Sequence, residues 1–399
     1  MIKEHIETPI TMSCDVLVCG GGFAGISAAL SAARHGRKVI LLEKEYMLGG
    51  LGTAGLITIY LPLCDGFGKQ VSFGIAEELF KLSISMGAED RYPDNWLDSN
   101  DKSKRTEKDK RFEVQYNPNI FAILAEKLLL QNGVQILYGS YAVGVSKSND
   151  KLDAVIIENK SGRQGISINS VVDATGDCDI AYFANSPTET FKQGNNLAAW
   201  YYSLGKNGYN LNMLGVIDIP ENEKDNNNKV ELLVNKRFSG LDGKEISEMV
   251  QLSHKCVLNN IIKKRENDCT YCPTLISSIP QIRMTRRIVG EYTLDDNESH
   301  KHFDDSIGLI SNWKKRGPIY EVPFSTLYSK TVKNLIVAGR CTSVTDSMWD
   351  IMRVIPCCAV TGQAAGTAAA LTDDFTKLDV KYLQNILKTD GVKIHINEL

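Results

Sequence analysis

The stretch that most constrains this chain is residues 16–25, where the apolar run Val16-Leu17-Val18-Cys19 stops at Gly20-Gly21-Gly22 and continues as Phe23-Ala24-Gly25. A short apolar run ending in glycines reads as a buried parallel strand feeding a tight turn. Gly20, Gly22 and Gly25 fit GxGxxG, in which the first glycine makes the turn, the second admits a pyrophosphate against the backbone, and the third lets helix and strand pack closely. The next residues, with Ile26, Ala28, Ala29, Leu30, Ala32 and Ala33, form a small-residue helix that Gly36 can end. Its N-terminus has unpaired N–H groups and a partial positive charge, which suit a phosphate. A second apolar run, Val39 to Leu42, finishes at Glu43, placed to accept hydrogen bonds from a ribose diol. GxGxxG alone is a weak signal; with both strands, the helix and the terminal acid around it, the stretch reads as a dinucleotide site.

The rest of the chain supplies the frame. At 399 residues and 43% hydrophobic content it has room for about two domains. Lys and Arg total 45 against 48 for Asp and Glu, so no strong field exists to draw in nucleic acid or an anionic membrane. The start, MIKEHIETPITMSCD, is too polar for a secretory signal, and ten cysteines without one read as reduced thiols in a cytoplasm. Residues 354–371 are apolar, but Pro356, Gly362, Gln363 and Gly366 argue for packing against a cofactor rather than a membrane span.

Along the chain, LGGLGTAGLITIY places Gly49, Gly50, Gly52 and Gly55 within seven residues, which suggests backbone running against a flat ligand. Residues 64–91 read as helical around Ile75, Leu79, Leu82 and Ile84, and the charge run 98–110 as a solvated loop. A helix from Asn119 closes at Asn132-Gly133 before a strand at 134–137. Strand segments at 141–146, 152–158 and 165–169 then form an antiparallel meander, and the chain returns to a buried strand, Val171 to Ala174, ending in Thr175-Gly176-Asp177. Residues 186 to about 325 are polar and turn-rich, with 221–229 a surface loop and Ala198 to Leu204 a strand. The chain comes back to the sheet at Leu335 to Ala338, reaches Gly339-Arg340, and runs through Met352 to Pro356 into the helix GQAAGTAAAL, whose positive end would face the ligand.

DVLVCGGGFAG with Glu43, LGGLGTAG, VVDATGDCDIA, IRMTRRIVGEYTL, NLIVAGRCTS and IMRVIPCCAVTGQAAGTAAAL together resemble the FAD-dependent oxidoreductase family, whose dinucleotide domain is similar to that of glutathione reductase and fumarate reductase flavoproteins. The resemblance covers nearly the whole chain and departs most between residues 186 and 275. It implies FAD as cofactor, with Gly20, Gly22 and Gly25 on the diphosphate and Glu43 on the adenosine ribose. It places Gly49, Gly50, Gly52 and Thr53 beside the flavin, Thr175, Gly176 and Asp177 near the adenosine half, and Gly339, Arg340 and Gly362, Gln363, Ala364 and Ala365 at the ribityl and pyrimidine end. Phe23, Ala24, Lys44, Val143 and Ala174 complete that set. Arg353 is implied near the flavin, to stabilise its reduced form or hold a substrate carboxylate.

The expected architecture is an α/β fold: a Rossmann-like doubly wound parallel sheet with an antiparallel β-meander, formed by residues 1–185 and 326–399, and an inserted α+β substrate or cap domain at 186–325. No second strand–GxGxxG–helix occurs, so a dedicated pyridine-nucleotide domain is not expected. Arg283, Arg286 and Arg287 read as structural ion pairs in preference to an anion clamp, with Arg283 and Tyr320 retained as substrate candidates. Tyr60, Asp65 and Tyr320 are proton donors or acceptors by type, Tyr60 and Arg353 being the catalytic candidates. Cys269 and Cys272 lack a companion pair at zinc spacing, so no metal is expected. His300 and His302 fall in an acidic loop and are not chosen as bases, and no histidine lies in 43–60 to anchor flavin covalently.

The expected function is hydride transfer between a small organic substrate and non-covalently bound FAD. The alternatives are a reductase of activated double bonds fed by a redox partner protein, or a non-catalytic flavin-binding scaffold, against whose RNA-associated form the neutral charge argues.

Overall fold

The computed structural model describes residues 2, 5–86, 113–215 and 232–399. The expected loops at 98–110 and 221–229 lie outside the described residues. By packing, the chain divides into one unit of Met1–Gly50, Ile59–Glu189 and Arg286–Leu399 and a second of Leu51–Thr58 and Thr190–Thr285.

The first unit is organised on β1 (Ile10–Cys19), which delivers the chain to the glycine turn and α1 (Phe23–Arg34). The helix ends at Arg34, Gly36 beyond its cap takes a left-handed φ of 78°, and the chain returns as β2 (Val39–Leu42). Helix α2 (Ile75–Ile84) is shorter than the expected 64–91. Helix α3 (Pro118–Gln131) starts at Asn117, whose side chain accepts from the Asn119 and Ile120 N–H groups, and leads to β3 (Gln135–Leu137). The meander follows as β4 (Tyr141–Ser148), β5 (Lys151–Asn159) and β6 (Gly162–Asp173), after which comes the short helix α4 (Asp179–Phe183), and the sheet is completed by β12 (Leu335–Val337).

Strand order is β3-β2-β1-β6-β5-β4, with β12 also on β6. One strand does two tasks. The segments expected separately at 165–169 and 171–174 are a single 12-residue β6. Its first half pairs antiparallel with β5, its last three residues pair parallel with β12, and β1 runs parallel to it from Gly165 to Asp173. Because β6 changes partners part-way, the meander and the parallel sheet share a strand. β1, β2, β6 and β12 run parallel, so their carboxyl ends lie on one edge, where doubly wound sheets place ligands. Leu17, Cys19, Ile40, Leu42, Val155, Val171 and Val337 anchor the core on this sheet.

The second unit holds the antiparallel strands β7 (Ala199–Gly205), β8 (Gly208–Leu214) and β9 (Cys272–Ile276) and the 23-residue helix α5 (Gly243–Arg265). Asp242 caps α5 by accepting from Glu245 N at 2.9 Å. Val257 of α5 packs with Ala199 and Tyr201 of β7, giving the α+β character expected for the insert. Residues 51–58 join this unit through Ser278 N, which donates to the Ala54 carbonyl, and Gln281, which donates to that of Gly55.

The expected insert ran from 186 to 325, whereas residues 286–325 pack with the first unit. The hairpin β10 (Ser306–Ser311) and β11 (Ile319–Pro323) is the reason: Ser306 Oγ donates to the Ile394 carbonyl, and Gly308 lies against Val360. The chain continues from β12 into α6 (Asp346–Met352), α7 (Ile355–Leu371) and α8 (Val380–Thr389). All ten cysteines are unpaired. Among the described residues, no single helix is long and apolar enough to cross a membrane.

Candidate functional site

Four strand ends converge: Gly20 after β1, Glu43 after β2, Ala174 to Asp177 after β6, and Gly339-Arg340 after β12. The three motif glycines differ in what surrounds them. Gly20 has φ 106°, and a Cβ there would meet the Ala174 carbonyl oxygen at 2.3 Å, so it must be glycine for the turn to close. A Cβ on Gly25 would sit 1.7 Å from the Gly20 oxygen, so the third glycine brings α1 onto the strand. A Cβ on Gly22 would meet nothing within 4 Å. Gly22 is the N-cap of α1 and no side chain caps that end, so open space lies in front of a positive helix terminus. The cradle therefore fits a diphosphate.

Glu43 is 5% exposed. Its Oε2 accepts from Gly21 N and its Oε1 from Glu45 N, both at 2.8 Å, tying the end of β2 to the glycine turn. Burial raises its pKa and the two N–H groups oppose that rise. Each oxygen keeps a second lone pair for a ribose hydroxyl. Lys44 is exposed, and Gly49 N donates to the Gly21 carbonyl, bringing the second glycine run back to the first.

After β6, the buried Asp173 accepts from Thr175 and Ala181 and shapes the turn through Gly176, which has φ 81°. A Cβ there would strike Arg340 Nη2 at 2.3 Å, so the guanidinium lies on the turn and reaches Asp177 at 3.2 Å. Asp179 follows; burial first, then Asp177 and Asp173, push its pKa up to about 6 against the opposing pull of Arg286.

Helix α7 begins at Ile355, seven residues earlier than the expected run, with Val354 as its N-cap, Pro356 in its first turn and no side-chain cap. Just before it, Arg353 Nε donates to Asp350 Oδ1 at 2.8 Å, and Lys314 meets the other carboxylate oxygen. Arg353 and Asp350 are 6% and 9% exposed. Cys358, one turn into α7, is flanked by Arg340 and Arg353; burial pushes its thiol up to about 12, so it stays protonated. Asp350 and Lys314 were not anticipated, although Asp350 and Arg353 stand at the i, i+3 spacing that brings helical side chains together.

Several of the expected site residues are engaged in contacts within the protein. Gly362, Gln363, Ala364 and Ala365 lie inside α7 and are wholly buried. A Cβ on Gly362 would meet the Ala24 carbonyl oxygen at 2.2 Å, and one on Gly366 that of Ala28 at 2.1 Å, so these residues pack α7 on α1. Gln363 Oε1 instead accepts from Ile75 N at 2.8 Å and starts α2. Tyr60 has no exposed surface; its hydroxyl donates to the Ala76 carbonyl at 2.6 Å, and its ring packs on Phe23 and Phe80. Tyr320, 2% exposed, donates to the Asp296 carbonyl at 2.9 Å. Both hydroxyls are thus engaged by backbone carbonyls within the core. Asp65 caps its own loop through Phe67 N and Lys69 N.

Arg286 pairs with Asp179, and Arg287 with Glu189 and Asp346, which makes both structural. Arg283, in the second unit, is 3% exposed, donates to the Gln281 carbonyl and lies 5.4 Å from the Trp200 ring. Those are core contacts. Gly52 and the buried Thr53 also belong to the second unit. Val143 sits at a bulge of β4, half-buried between the paired residues Ala142 and Gly144. Phe23, Ala24 and Ala174 are nearly buried around the turn.

A doubly wound sheet with a diphosphate cradle at its carboxyl edge defines a dinucleotide-binding α/β protein. The chain belongs to the FAD dependent oxidoreductase family, whose model matches residues 15–199 and 196–387. FAD is accordingly its cofactor. Among curated relatives, a flavin-dependent halogenase of Armillaria mellea is 27% identical over 228 residues, covering 51% of this chain and 40% of the halogenase. Glutathione reductase of Schizosaccharomyces pombe is 29% identical over 175 residues, covering 42% and 32% of the two chains. Vinyl phenol reductase of Lactiplantibacillus plantarum is 28% identical over 188 residues, covering 41% and 38%. The matched stretches thus span less than half of each relative.

Proposed function

We propose that this chain is an enzyme that moves a hydride between a small organic substrate and non-covalently bound FAD. The observation that supports this reading most is the charge arrangement at the start of α7. Arg353 and Lys314 share the single carboxylate of Asp350, so two cations less one anion leave one positive charge beside an uncapped helix N-terminus. That combination stabilises negative charge wherever it develops nearby.

When bound, FAD supplies the hydride chemistry. Gly20 to Gly25 and the α1 N-terminus bind the diphosphate, Glu43 accepts from the ribose, and Arg340 with Asp177 orients the segment between. Asp350 holds Arg353 in one position, so that its charge is already in place when the reaction calls on it. Cys358, as a buried thiol, excludes water without competing as a nucleophile.

An anaerobic screen of small metabolites for bleaching of the flavin absorbance tests this reading. At least one alcohol, amine or acid is expected to bleach it, and Arg353→Lys should slow that reduction by about 100-fold at an unchanged melting temperature. A lysine substitution that reduces at the wild-type rate rejects the role of Arg353. A second reading, reduction of activated double bonds with electrons from a partner protein, is favoured by the likeness to vinyl phenol reductase. It is supported if no metabolite bleaches the flavin while a chemically reduced flavin is reoxidised by an activated alkene.

A further inference from the structure

We propose that His302, Glu321 and His395 form a site for a borderline divalent cation, zinc(II) in the first instance, which clamps the C-terminal segment to the β10–β11 hairpin. Glu321 stands in the middle of β11, where every residue is buried, and is itself 2% exposed. A carboxylate there must be compensated. Its Oε1 accepts from Ile396 N at 3.0 Å and its Oε2 from Phe303 N at 2.9 Å. The same Oε2 also faces two imidazoles, His395 Nδ1 at 2.9 Å and His302 Nδ1 at 3.3 Å. The two rings lie 4.6 Å apart, and the three ligand atoms are all within 4.8 Å of one another.

A tetrahedral ion bound at about 2.0–2.1 Å separates its ligand atoms by about 3.4 Å, close to two of the three spacings already present. The second shell points the same way. His302 Nε2 lies 3.3 Å from Asp304 Oδ1. A neutral ring that donates Nε2–H to Asp304 turns the Nδ1 lone pair toward Glu321 Oε2, and a cation between them converts that repulsion into coordination. Two imidazoles and one carboxylate suit zinc, cobalt or nickel better than calcium or magnesium. His302 is 58% exposed, so the ion has a path from solvent and a fourth position for water. The three ligands come from the loop before β10, from β11 and from the segment after α8. Ile396 and Leu399 beyond His395 pack on Val71, Leu309 and Ile319, which is the contact the ion would lock.

The test uses the FAD-loaded full chain, stripped of metal by chelator, with the exposed Cys269 and Cys272 replaced by serine to remove thiol ligands. Calorimetric titration with zinc chloride at about pH 7.5 is expected to show one ion per chain. His302→Ala, at an exposed position, should keep the fold and the flavin spectrum yet bind zinc at least about tenfold more weakly, and His395→Ala likewise. Cobalt chloride should give visible absorption without a thiolate charge-transfer band. No stoichiometric zinc binding by the parent, or binding undiminished in both alanine variants, overturns the site.

Discussion

Gly25→Ala is expected to leave no stably folded protein. The added methyl would lie 1.7 Å from the Gly20 carbonyl oxygen and 2.9 Å from the carbonyl carbon, so the obstruction is backbone at the end of the central strand β1. It cannot rotate aside as a flexible side chain would. Nor can α1 retreat, because α7 is seated on it with Gly362 and Gly366 against the Ala24 and Ala28 carbonyls. Ordinary overpacking costs about 1–3 kcal/mol, and a backbone collision with no relief should exceed the upper end. Soluble yield and a thermal melt followed by circular dichroism measure it. A wild-type melt for Gly25→Ala would mean that the turn is not built as described.

The second large effect is expected at Asp350. Removing one partner of a buried ion pair leaves an uncompensated charge and costs about 3–5 kcal/mol. Asp350 and Arg353 are both nearly buried, whereas Lys314, 39% exposed, can turn to water, so Asp350→Asn should act mainly by stranding Arg353. Asp350→Asn with Arg353→Met should recover part of the loss, since the stranded charge is then gone. The pH dependence has a defined sign. Burial pushes the Asp350 pKa up, but Arg353 and then Lys314 outweigh it and hold it below the ordinary 3.8. A depressed folded-state pKa gives stability that is complete above 3.8 and lost as pH falls through the folded value. The difference in urea-unfolding free energy between wild type and Asp350→Asn should therefore be constant near neutrality and shrink only in strong acid. A difference that vanishes at neutral pH would contradict the pairing.

These positions also mark what the sequence could and could not reveal. Gly20 to Gly25, β2 with Glu43, and the strand after Asn132-Gly133 were legible because glycine placement and apolar runs report local backbone geometry. β6 was read as two strands because the polar Asn169 and Ser170 interrupt its apolar run where it changes partners. The run GQAAGTAAAL reads as a helix and lies within one, but small residues permit close approach equally to a flat ligand or to another helix, and here the neighbour is α1. Tyr60 and Tyr320 show that side-chain type does not report burial. Asp350 was recoverable from its helical spacing to Arg353. His302, Glu321 and His395 were not, being 19 and 74 residues apart along the chain and adjacent only through the fold.

FAD is proposed to lie on the glycine turn, in the open space at Gly22. Gly22 has φ −70° and ψ −179°, a conformation any residue adopts, and an added methyl meets no protein atom within 4 Å. Flavin content measured by absorbance after acid release, in wild type and in Gly22→Ala, tests this most directly. The expected result is about one releasable FAD per wild-type chain, with Gly22→Ala folding normally but losing its flavin, because the methyl takes the place of the pyrophosphate. A Gly22→Ala protein that retains FAD as tightly as wild type, or a colourless wild type that cannot be reconstituted, would contradict it.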